Sequence, residues 1–201
     1  MKRIKKNFVK LIEINKSKFY GILFPVDNVE EVKEYLNQVR KDYPKATHYC
    51  YAYRVNGLEK SNDDGEPSGT AGRPMLEYLR NNDLENILCV SVRYFGGIKL
   101  GASGLLRAYV DSLREVYAIS EVYEVREQNI YSIKMNYSLY DIVRNYISKL
   151  DGFTIETKFE EEVEIIYSAL TLDEFKLVNL TNNQIKIVLI GNQLVYSKIE
   201  K

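Results

Sequence analysis

The chain has 201 residues, 45% of them hydrophobic, which is enough for one large domain or two small ones with buried cores. Its 28 basic and 28 acidic residues cancel, which excludes a broadly polyanion-coated protein but leaves room for local patches. One such patch opens the chain, where residues 1–22 carry seven Lys or Arg against one Glu. That basic start runs into Asn7, Phe8, Val9 and Lys10, so it lacks the apolar core of a signal peptide. No stretch approaches the roughly 20 apolar residues of a membrane span. Cys50 and Cys89 both sit in apolar runs, which suits reduced, buried thiols and a cytoplasmic location.

In chain order, Phe8–Ile14 and Lys18–Val26 read as two strands of a hairpin turning at Asn15, Lys16 and Ser17. Asp27 with Glu30 resembles a capping box, followed by helical spacing of Val29, Val32, Leu36 and Val39 that must stop before Pro44. Thr47–Val55 alternates as a strand, with Tyr49, Tyr51 and Tyr53 on one face and His48, Cys50, Ala52 and Arg54 on the other. His48 is the only histidine. As successive same-face residues, His48 and Cys50 have Cβ atoms roughly 7 Å apart, too far for a nucleophilic pair, so a buried thiol beside a hydrogen-bonded histidine is expected.

Residues 62–74 combine Asp63, Asp64 and Glu66 with Gly65, Gly69 and Gly72, and read as an ordered loop leading into a helix with Pro74 in its first turn. Three acids so close have the chemistry to hold a divalent cation. The spacing is not that of an EF-hand, since counting back from Gly65 places Lys60 at the first ligand position. The other reading has these acids capping helix amides or pairing with arginine.

The segment around which the chain is organised runs from Asn86 to Tyr117. Ile87–Val92 is an unbroken apolar run, read as a strand buried on both faces. It leads through Arg93, Gly96, Gly97, Lys99, Gly101, Ser103 and Gly104 into a helix whose apolar positions recur every three or four residues from Leu105 to Tyr117. Residues 86–110 carry Arg93, Lys99 and Arg107 and no acid. A helix start offers free amide donors, so an anion site is expected here, with Arg73 as a further cation. Neither nucleotide loop fits: Gly96 to Gly101 has Walker spacing but is followed by Ala102 and Ser103, and the dinucleotide fingerprint needs glycine where Lys99 stands. A purely architectural reading has the glycines approaching the sheet, Arg107 pairing with Asp111 and Arg93 pairing with the acidic loop.

Polar residues 124–129 read as a linker, giving domains at 1–126 and 127–201. The second part reads as strand (129–136), helix (139–150), two strands (153–168), a helix opening at a Thr171/Glu174 capping box, and a hairpin turning at Gly191–Asn192. That is a ferredoxin-like split βαβ order with an added terminal strand, in an α+β, two-domain chain.

The runs Asp63–Pro74 and Arg93–Tyr109, with Thr47, His48, Cys50 and Tyr51, resemble the signature of the IMPACT/YigZ family, with Ser103 standing where glycine is expected. The resemblance implies an N-terminal domain like the second domain of a small-subunit ribosomal protein and the fourth domain of elongation factor G. It also implies a ferredoxin-like C-terminal domain like the factor's fifth. Such relatives contact RNA or the ribosome. Eukaryotic members regulate translation by binding the activator of a stress-responsive initiation-factor kinase.

Together these readings give a non-enzymatic, translation-associated protein with RNA, the ribosome or a translation-regulatory protein as partner. Its anion or RNA site comprises Arg73, Arg93, Gly96, Gly97, Lys99, Gly101, Ser103, Gly104 and Arg107, with His48, Asp63, Asp64 and Glu66 as loop contributors. No catalytic residue, cofactor, metal or membrane contact is assigned. The alternatives are a metal-dependent enzyme acting on a phosphorylated small molecule and a protein-interaction module without nucleic acid.

Overall fold

A computed structural model describes residues 1–199. They divide into two compact units, Met1–Glu124 with the chain end from Ser197, and Val125–Tyr196.

In the first unit β1 is Lys2–Ile4, β2 Phe8–Ile14, β3 Ser17–Pro25, α1 Val29–Asp42, β4 His48–Val55, β5 Leu58–Asn62, α2 Gly72–Asn81, β6 Ile87–Tyr94 and α3 Gly101–Ile119. The sheet order is β2-β3-β6-β4-β5, with every neighbouring pair antiparallel. The apolar run Ile87–Val92 places β6 at the centre, and all of its residues but Tyr94 are buried.

Both faces of this sheet are covered. Cys50, Ala52 and Cys89 join Met75 and Leu79 of α2 and Leu105, Tyr109 and Leu113 of α3 in one core. Tyr49, Tyr53, Leu88 and Val90 pack with Val32 and Val39 of α1 in the other. The β2–β3 turn forms where Asn15 and Lys16 adopt φ of 47° and 62°, the left-handed pair that a tight hairpin needs.

The second unit opens on β7 (Val122–Met135, which begins in the first unit). It continues through a 3₁₀ turn, α4 (Tyr140–Ile147), β8 (Gly152–Phe159), β9 (Val163–Ala169), α5 (Glu174–Leu180) and β10 (Ile185–Lys198). Its strands lie in the order β10-β7-β9-β8, the ferredoxin-like arrangement. Tyr131, Ile133, Val143, Ile165 and Leu177 build its core.

Several local expectations are corrected. The polar stretch 124–129 is not irregular but lies within β7, which pairs with β1 at Val122–Glu124 and with β9 from Asn129↔Ala169, and the division into two units falls inside it, between Glu124 and Val125. Gly191–Asn192 is not a hairpin turn: β10 is one 14-residue strand, so no terminal strand is added. The first capping box is displaced by one residue. Asn28 is the N-cap, and Glu31 accepts from the Asp27 amide and the Asn28 side chain. The α5 N-cap is Asp173, not Thr171. No helix among the described residues is long and apolar enough to cross a membrane.

Candidate functional site: a cleft at the start of α3

The site grows out of strand register. Arg93 lies near the end of β6, paired with Phe19 on β3 and with His48 on β4, so an aromatic ring and the histidine flank the arginine on neighbouring strands. Arg93 is only 5% exposed. A guanidinium this deep requires a counter-charge, and Glu66 supplies it at 2.5 Å. The same Glu66 oxygen accepts from the Tyr109 hydroxyl of α3 at 2.7 Å, and His48 Nε2 lies 3.7 Å from it. Loop 63–72, β6 and α3 are thereby tied to one carboxylate.

The three loop acids do not converge. Asp63 accepts from the amides of Gly69, Ala71 and Gly72, and so caps the start of α2. Asp64 accepts from the Tyr49 amide at 2.7 Å and pairs with Arg40 at 3.0 Å, while its carbonyl takes the His48 Nδ1–H at 2.8 Å. Glu66 belongs to Arg93 and Tyr109. Of the two readings of these acids, the one seen is capping and arginine pairing: Asp63 holds helix amides, and Asp64 and Glu66 hold Arg40 and Arg93. Their oxygens are spent on different partners, and no group of three metal-ligating side chains comes together among the described residues.

After β6 the chain turns through Phe95–Leu100. Gly96 is required by contact: a Cβ there would lie 2.0 Å from the carbonyl carbon and oxygen of Lys16, in the β2–β3 turn. Gly97 and Gly101 are required by conformation, at φ of 86° and 69°, with open space around them. Helix α3 starts at Gly101 rather than after Gly104, so residues 101–104 form its first turn. No side chain caps that turn, and no acid lies in it.

The first turn opens on a cleft of about 450 Å³. Its polar lining is Thr47, His48, Glu66, Arg93 and Lys99, and its apolar walls are Pro67, Phe95, Leu100, Ala102 and Leu105, beside Gly101. The other expected site residues stand apart from it. Arg73 is exposed on α2 and pairs with Glu77. Arg107 is exposed on α3, where its Nε donates to the Ser103 carbonyl. It does not pair with Asp111, which Arg114 holds instead, so that expectation is corrected. Gly97, Ser103 and Gly104 do not line the cleft. Neither Lys99 nor Arg107 has an acidic partner among the described residues.

Phe95 and Tyr109 were not singled out by sequence pattern. Phe95 is 45% exposed, and the one signal for it was a large aromatic ring in a glycine turn. Tyr109 sits on the helix stripe expected to be buried, and its hydroxyl partner is visible only in three dimensions.

Cys50 donates its thiol to the Asp63 carbonyl at 2.9 Å, and Cys89 donates to that of Ala52 at 3.2 Å. Burial pushes each thiol up to about 12 from an ordinary value of 9.0. The folded chain therefore retains two protons that the unfolded chain releases above about pH 9, so these groups favour folding below that pH and lose their contribution as pH rises towards 12. A thiol-reactive disulfide reagent at pH 8 is expected to label neither cysteine in the native chain and both after guanidinium unfolding.

The model of the Impact N-terminal domain matches residues 15–117, just over half of the chain. The chain belongs to the IMPACT family. It is 39% identical over 156 residues to the IMPACT family member YvyE of Bacillus subtilis, covering 76% of this chain and 72% of the relative. It is 31% identical over 189 residues to the IMPACT family member YigZ of Escherichia coli, covering 89% and 92%. A crystal structure described as that of an hypothetical protein superposes with a TM-score of 0.61 at 28% identity, covering 94% of this chain and 96% of that one. All residues lining the cleft fall within the segment matched by the IMPACT domain.

Proposed function

We propose that this IMPACT-family chain is a cytoplasmic, non-enzymatic protein of translation control that binds RNA, free or in the ribosome, through the turn before α3 and the first turn of that helix. The observation that carries the reading is the uncapped α3 N-terminus opening on a cleft in which Lys99 is the uncompensated charge. Free amides and a lysine favour phosphate, and Arg107 adds an unneutralised cation on the same helix. Arg93 contributes differently: Glu66 already balances it, so it shapes the floor of the cleft.

Fluorescence anisotropy with a labelled RNA oligonucleotide at low salt tests the proposal. Binding is expected to weaken steeply as salt rises, and Lys99→Glu and Arg107→Glu are each expected to lower affinity about tenfold with unchanged melting curves. Absence of binding at low salt, or indifference to both substitutions, overturns the reading.

A further inference from the structure

The ring of Phe95 separates two depressions. On one side is the cleft at α3, and on the other is a depression of about 360 Å³ lined by Lys16, Lys18, Tyr20, Tyr94 and Phe95 itself. They lie on either side of the sheet end and meet at Phe95, where the Gly96 amide donates to Ser17 Oγ at 3.1 Å and the Gly96 backbone abuts that of Lys16, tying the two turns together. Tyr20 and Tyr94 stand edge to face across the strands with ring centroids 6.0 Å apart, and the Tyr94 hydroxyl donates to the Pro44 carbonyl, which fixes the second depression's floor. Phe95 is anchored by its amide, which donates to Thr47 Oγ1 at 3.0 Å, and by the Arg93 guanidinium 5.4 Å from its ring centroid.

The charges along this surface have one sign. Lys16 and Lys18 lie on one side of the ring and Lys99 on the other. Among the described residues the only acid lining either depression is Glu66, and Arg93 neutralises it. Arg93 also keeps its Nε buried without a hydrogen-bond partner in the structure. A half-exposed aromatic ring between two sets of cations is the arrangement that a flexible polyanion of flat rings recognises, with a base on the ring and phosphates to either side. A duplex cannot use it, because its bases are already stacked and its grooves offer only edges and backbone.

Resting on the RNA reading above, we propose that this surface is a single-strand RNA site. One unstacked base packs on Phe95, one flanking phosphate lies at Lys99 and the α3 amides, and the other lies at Lys16 and Lys18.

The test is anisotropy with a labelled 12-nucleotide single strand and with the same strand annealed to its complement, at low salt, on the full chain. The single strand is expected to bind at least tenfold more tightly than the duplex. Phe95→Leu keeps apolar bulk but removes the stacking face, and is expected to weaken single-strand binding five- to a hundredfold, while Phe95→Tyr retains it. Lys16→Ala is expected to reduce the slope of log affinity against log salt by about one. A strand carrying 2-aminopurine is expected to be quenched on binding to the native chain and not to Phe95→Leu. Equal affinity for strand and duplex, or an unchanged affinity in Phe95→Leu, overturns the single-strand proposal while leaving a Lys99-dependent RNA site standing. Failure of both RNAs to bind overturns the site and the reading beneath it.

Discussion

Glu66→Ala is expected to lower the stability of the first unit by about 3–5 kcal/mol, the cost of stranding a buried charge. The side chains of Arg93 and Glu66 are 6% and 4% exposed, so water cannot stand in for the lost carboxylate. The substitution also leaves the Tyr109 hydroxyl, on a fully buried residue, without its acceptor. Glu66→Gln keeps an oxygen for Tyr109 but not the charge, and is expected to fall between the two. The decisive comparison is Glu66→Leu combined with Arg93→Met. If uncompensated charge causes the loss, the double variant recovers most of the stability that Glu66→Leu alone loses, because an apolar pair of similar volume replaces a buried ion pair at little cost. Urea unfolding followed by tyrosine fluorescence measures the four variants against the parent chain. Equal losses in the single and double variants would assign the effect to packing instead.

Asp63→Ala is expected to cost about 2–4 kcal/mol, more than an ordinary helix cap, because one carboxylate serves three amides. Ala71 and Gly72 share one of its oxygens and Gly69 takes the other. The N-cap position of α2, Ala71, has no side chain able to substitute. Native-state amide exchange is expected to show lost protection at residues 69–72 well before the centre of β6 is affected. Asp63→Asn keeps one acceptor but turns an amide donor towards a backbone N–H, so an intermediate loss is expected. If Asp63→Ala melts like the parent chain, the loop is held by something other than this cap. Metal affinity offers a further contrast, since a structural carboxylate leaves divalent-ion titrations flat before and after substitution.

Much of this architecture was legible in the sequence because it is local. The apolar run Ile87–Val92, the alternation of Thr47–Val55 and the three-to-four spacing after Leu105 identify two strands and a packed helix from neighbouring residues alone. The same holds for the Asn15–Lys16 turn and for Pro44 as the limit of α1. The positive excess at residues 86–110 and the role of glycine in the turn were also visible in one dimension.

Where pairing across the chain decides, local pattern was silent or misleading. Strands β1 and β5 are short and mostly polar, and exist because β7 and β4 offer them ladder partners. Gly191–Asn192 has the chemistry of a turn, yet it lies within a continuous 14-residue strand, β10, which pairs with β7. Arg107 and Asp111 have helix-pair spacing, yet Asp111 goes to Arg114 and Arg107 to a carbonyl.

The sequence by itself determined that a basic glycine turn joins a buried strand to an amphipathic helix, since each of those properties is written in consecutive residues. Only the tertiary structure decided which charges remain available there. Register sets His48 and Phe19 beside Arg93, and the fold brings in Glu66 from 27 residues away to neutralise it. That leaves Lys99, with Lys16 and Lys18 across the ring of Phe95, to meet an anion. Charge balance in a buried site depends on distances between elements, and no periodicity along the chain encodes those distances.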